Sequence, residues 1–121
     1  MSVVARILVV DDKSDERVLV EEMLVSAGHE VFSAANGRDA LAQHGANPAD
    51  LIITDLFMPE LDGVELILAL RRQKPGVKVI AMAGNIGSEA MLSVAIKLGS
   101  VAVLQKPFTV EQLLAVVKRE L

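Results

Sequence analysis

Five short apolar runs, rich in β-branched residues, alternate with longer stretches of helical period, and this alternation constrains the fold most. The runs fall at residues 6–10, 30–34, 51–54, 77–82 and 101–104. Ile7-Leu8-Val9-Val10 is apolar at every step, as expected of a strand covered on both faces. Between the runs, helices are predicted over 14–27, 38–44, 63–73 and 88–98. In the first of these, Val18, Leu19, Met23 and Ala27 carry the apolar stripe. Gly28 and Gly99 stand where left-handed helix ends belong, and Pro75-Gly76 stops the third helix. Ala46-Asn47-Pro48 breaks the chain ahead of the third run. Thr109-Val110-Glu111-Gln112 has capping-box spacing and opens a last helix carrying Leu113, Leu114, Val116 and Val117. Strands alternating with helices imply an α/β domain with a parallel sheet covered on both faces.

At 121 residues the chain is expected to form one domain with a core that needs no staples. No linker or low-complexity segment divides it. An apolar content of 52% with a net charge of −4 excludes a disordered chain. The absence of a basic stripe argues against direct nucleic-acid binding. Cysteine is absent, which removes disulfides and thiolate metal sites. No apolar stretch approaches a bilayer span, and residues 1–6 have no signal-peptide layout, so a cytoplasmic location is expected.

Charged residues cluster at the ends of these runs. The first runs into Asp11-Asp12, the third into Asp55, and the fifth through Gln105 into Lys106-Pro107. Each has an ordinary explanation alone: acids before a helix complement its dipole, an aspartate starts a turn, a lysine is solvated. Parallel strands, however, bring their carboxyl ends to one edge, where ligands of such sheets sit. Three carboxylates opposed by one lysine suit a divalent cation and a phosphoryl group. Magnesium fits better than calcium, because no loop supplies six dedicated oxygen ligands. A carboxylate beside such a metal can attack phosphorus and form an aspartyl phosphate.

Asp11-Asp12, Asp55-Leu56-Phe57-Met58-Pro59 with Asp62-Gly63, and Lys106-Pro107-Phe108 make the whole chain resemble the receiver domain of two-component response regulators. The resemblance implies a doubly wound (βα)5 flavodoxin-like fold with strand order 2-1-3-4-5, spanning residues 1–121 without an output domain. It implies Asp55 as phosphoacceptor and Asp12 as a direct magnesium ligand. Asp11 would hold the metal through water, the Phe57 carbonyl would coordinate it, and Lys106 would contact the phosphoryl group. The donor would be a histidine kinase or histidine phosphotransferase, or a small acyl or amido phosphate. The chain would then be a self-phosphorylating signalling domain rather than an enzyme acting on outside substrates.

Two positions depart from the family's pattern. Ala83 stands where receivers carry a hydroxyl residue, and Val103 where they carry an aromatic switch residue. Either the response travels by another route, such as Gly84-Asn85-Ile86-Gly87, or the chain is a phosphate shuttle or sink. A degenerate receiver acting only as an interaction module is a further alternative. A haloacid-dehalogenase-type phosphatase would want a second aspartate where Phe57 stands, and a flavin binder would want aromatic stacking and a phosphate loop. Met91, Leu92, Ala95 and Leu98 fill the inward stripe of the fourth helix, which leaves Ala90, Val94 and Ile96 for shoulder packing or for a partner. In the family, the face of the fourth helix, fifth strand and fifth helix serves output partners or homodimers. His29 and His44 read as surface residues, and Met23, Met58, Met82 and Met91 as packing.

Overall fold

The computed structural model describes residues 4–58, 62–73, 76–84 and 88–121. Its strands are β1 (Arg6–Val10), β2 (Glu30–Ala34), β3 (Leu51–Asp55), β4 (Lys78–Ala83) and β5 (Ala102–Gln105). All pair in parallel in the order β2-β1-β3-β4-β5. The helices are α1 (Ser14–Ser26), α2 (Gly37–Ala46), α3 (Gly63–Gln73), α4 (Ser88–Leu98) and α5 (Val110–Glu120). This is the doubly wound α/β fold that the alternation of runs predicts.

The strands sort their side chains by parity, as the pleat requires. Ile7, Val9, Leu51, Ile53, Ile80, Met82 and Leu104 point to a layer completed by Val20 and Leu24 of α1 and by Leu113 and Val117 of α5. Leu8, Val10, Ile52, Val79 and Ala81 point the other way, to Ala40 of α2, Leu66, Ile67 and Leu70 of α3, and Leu92 and Ala95 of α4. Both faces of the three inner strands are therefore dry.

Caps behave as their residue types dictate. Thr109 and Gln112 exchange reciprocal side-chain hydrogen bonds at the start of α5. Asn36 caps α2 by accepting from the Asp39 amide at 2.8 Å. Gly28 and Gly99 have φ of +92° and +120°, the left-handed region that ends α1 and α4.

Three expectations need correction. Val18 and Leu19 face outward at 46% and 53% exposure, whereas Val20 and Leu24 are buried. Helix α1 is apolar on both sides, so its period alone does not choose the inner face. His44 is buried, and its Nδ1 accepts the Ala49 amide at 2.9 Å where α2 turns back toward β3. His29 is half-buried, with Nδ1 accepting from the Ala5 amide. Finally, β4 and β5 each start one residue later than expected, and Val101 is exposed ahead of β5. The methionines do pack, Met58 and Met82 buried and Met23 and Met91 against the two layers. Pro59, Pro75 and the Asn85-Ile86-Gly87 part of the glycine loop lie outside the described residues.

Candidate functional site: an acidic cleft at the strand ends

The chain leaves β1 for the sheet edge at β2 and then returns to β3 on β1's other side. Helix α1 departs into one layer and α3 into the other, so the turns after β1 and β3 diverge and open a crevice. Asp11 and Asp12 follow β1 directly, and Asp55 is the last residue of β3. Lys106 follows β5, two strands away from β3, and must reach across the end of β4.

Gly84 clears that path. A Cβ at Gly84 would stand 2.7 Å from the Lys106 Cβ, so any larger residue there would push on the start of the lysine stem. The Lys106 amide also donates to the Ala83 carbonyl at 2.8 Å, which fixes where the side chain begins. At its end, the Lys106 ammonium donates to Asp11 Oδ2 and Asp55 Oδ2, each at 3.0 Å, and to Glu16 Oε2 at 3.1 Å.

Backbone amides orient the two inner carboxylates. Asp11 Oδ1 accepts from the Lys13 amide at 3.0 Å, and Asp55 Oδ1 accepts from the Phe57 amide at 3.1 Å. Arg17 Nη1 donates to the Asp11 carbonyl at 2.7 Å and ties α1 to the end of β1. Asp11 and Asp55 are buried and Asp12 is exposed. One oxygen from each of the three aspartates lies within 4.8 Å of the others. Beside them opens a cleft of about 240 Å³ lined by Lys13, Glu16, Asp55, Phe57, Gly84, Lys106 and Pro107.

Burial pushes the Asp11 carboxyl above its ordinary range, against the Lys13 amide and the Lys106 ammonium, which favour its charged form. For Lys106 burial works toward a lower pKa, but the hydrogen bonds and charges of Asp55 and Asp11 outweigh it and hold the ammonium well above the usual lysine value. The lysine stays charged throughout, while the carboxylates outnumber it. The donors are all oxygen, already gathered, and carry uncompensated negative charge. A magnesium ion fits both the donor type and the charge.

All the residues that the sequence marks for the site meet here: Asp11, Asp12, Asp55 and Lys106, with Phe57 on the wall and Ala83 beneath Lys106. Glu16 was missed, and Gly63 and Gly84 were noted without the close contacts they make here. Glu16 reads locally as an acid in the first turn of a helix. The glycines become meaningful only when the backbone or stem that passes them is known.

A wound parallel sheet with an acidic pocket and a lysine at its switch point is the architecture of the phosphotransfer-related signalling domains. The response regulator receiver domain model matches residues 7–118, and the chain belongs to that family. Chemotaxis protein CheY of Thermotoga maritima is 34% identical over 104 residues, 85% of this chain and 86% of that protein. Sporulation initiation phosphotransferase F of Bacillus subtilis is 31% identical, with 96% and 93% covered. Among solved structures, the receiver domain of NtrX from Brucella abortus superposes with a TM-score of 0.88 at 34% identity, covering 94% of this chain and 96% of that one. The longer NtrX chain bound to ADP superposes with a TM-score of 0.93 at 32% identity, and this chain, 98% covered, spans 27% of it. Among the described residues, no helix is long and apolar enough to cross a membrane.

Proposed function

We propose that the chain is a cytoplasmic receiver that takes a phosphoryl group on Asp55 from a histidine kinase or histidine phosphotransferase and signals through protein contacts. One observation carries this reading: residues 95 positions apart, Asp11 and Lys106, converge within 3.0 Å of each other, and Asp55 lies within 3.0 Å of the same ammonium. An Asp55 oxygen forms a bond to phosphorus as the bond from phosphorus to the donor's imidazole nitrogen or acyl oxygen breaks. Lys106 holds an oxygen of the group in transfer, and the backbone bond from Phe57 keeps the carboxylate aimed into the cleft. Asp12 and Asp55, with Asp11 through water and the Phe57 carbonyl, would hold magnesium, which neutralises the charge of the cluster and of the phosphoryl oxygens. Incubation with magnesium and acetyl phosphate should add one phosphoryl group by intact mass. Continuous release of inorganic phosphate instead would make the chain a phosphatase.

Magnesium should raise the unfolding temperature by a few degrees, since ligand at tenfold its Kd adds about 1.4 kcal/mol. Among the described residues Asp12 has no cation partner, so Asp12→Asn should abolish that response and stabilise the metal-free chain by about 1 kcal/mol through relieved repulsion. The magnesium effect should shrink on acidification, starting above the pH that an ordinary aspartate would require. The folded state holds the Asp11 proton more tightly than the unfolded chain, so Asp11 itself favours folding in acid and loses that contribution as pH rises through its raised value. Thermal scans with and without magnesium across this range provide the check.

Ala83 is fully buried and Val103 is half-buried against the α4 layer, so these two positions supply neither a hydroxyl nor an aromatic ring to couple the site to that face. We read the output as altered rather than absent, because the acids and lysine are complete. A neutral hydrogen bond contributes about 1 kcal/mol, which matters more to a switch than to the chemistry. Ala83→Thr should enlarge the phosphorylation-dependent shifts of amides near Gly84. Equal shifts with and without the threonine would favour the sink reading. Val94, Ile96 and Val101 are exposed on the α4 and β5 side, the surface we assign to an output partner or a homodimer. Sedimentation as a monomer before and after phosphorylation would remove the dimer.

A further inference from the structure

We propose that Glu16 is a positioning residue that latches Lys106 in the unphosphorylated chain and must let go before the phosphoryl group is held, so that it slows phosphorylation. The inference rests on Asp55 being the acceptor.

An ammonium has three N–H donors and no acceptor. All three donors of Lys106 are committed, to Asp11, Asp55 and Glu16. A phosphoryl oxygen can bind Lys106 only by displacing one of them. The side chain of Asp11 is 0% exposed, and losing its cation would strand a buried charge. Asp55 is 8% exposed and itself carries the incoming group. Glu16 is 38% exposed and returns to water most easily. It also lines the cleft beside Asp55, so its charge meets the anionic donor where that donor enters.

The ordinary role for Glu16 is to complement the dipole of α1 from its first turn. Asp15 sits in the same turn with the same charge and is exposed to solvent, which makes it the control. Glu16→Gln should speed phosphorylation by acetyl phosphate with magnesium about two- to fivefold, the range for an ion pair open to water. It should tighten beryllofluoride binding by a similar factor. Glu16→Asp keeps the charge but withdraws the carboxylate by one methylene, and should behave like Glu16→Gln. Asp15→Asn should change neither quantity.

The measurements are intact mass against time and calorimetric titration of beryllofluoride. Faster reaction in both Glu16 variants with Asp15→Asn unchanged supports the latch. Equal rates in wild type and Glu16→Gln, or equal acceleration by Asp15→Asn, overturn it. If the wild-type chain takes neither the phosphoryl group nor beryllofluoride, the acceptor reading of Asp55 fails first and the latch falls with it.

Discussion

Asp55→Asn should remove phosphorylation by acetyl phosphate and by any histidine-based donor to below detection. The amide is close to the carboxylate in size and keeps an oxygen to accept the Phe57 amide, so the turn after β3 should be retained. What it loses is the negative, nucleophilic oxygen that must bond to phosphorus. The folded state loses the ion pair from Lys106 to Asp55 and also the repulsion between Asp55 and Asp11, two effects of opposite sign. Stability should therefore change by only about 1 kcal/mol, consistent with exchanging one charge interaction for another. Intact mass with a parallel urea titration reads both effects. A variant that still gains a stable phosphoryl group would move the acceptor to Asp11 or Asp12.

Gly63→Ala should destabilise the chain by about 3 kcal/mol, at the upper end of ordinary overpacking. Helix propensity alone would predict the opposite sign, because alanine is favoured over glycine by about 1 kcal/mol inside a helix. Gly63 is the first residue of α3, and its amide donates to the Leu56 carbonyl at 3.1 Å. A Cβ there would overlap the Asp55 carbonyl oxygen and stand 2.6 Å from the Leu56 Cα. Both are backbone atoms at the end of β3 and cannot rotate away. Asp62 holds α3 in this place by accepting the Glu65 amide at 3.0 Å. The substitution therefore pushes directly on the acceptor's backbone, and phosphorylation should slow along with the loss of stability. Gly76 meets nothing within 4 Å at its Cβ position, so Gly76→Ala is the matched control. Equal urea midpoints for the two variants would refute the close approach of α3 to β3.

The local chemistry of single elements was legible in the sequence. The runs at 6–10 and 30–34, and helices 63–73 and 88–98, stand where their periodicity and stops put them. The capping box at Thr109 and the left-handed glycines also follow from residue type alone. Partner-dependent features were not legible. Helix α1 offers two apolar sides, and packing against β1 and β2 chose Val20 and Leu24. His44 lost its solvent because the turn into β3 needed an acceptor for the Ala49 amide. Glu16 joined the site because the Lys106 stem crosses Gly84 and arrives beside the first turn of α1.

By itself the sequence determined the elements, the burial of the strands and the gathering of Asp11, Asp12, Asp55 and Lys106 at one rim, since parallel strands share a direction. Tertiary structure alone decided which carboxylates occupy the donors of the ammonium and which glycines must stay bare. Those outcomes depend on distances between segments far apart in the chain, and they are set only when the two layers close on the sheet.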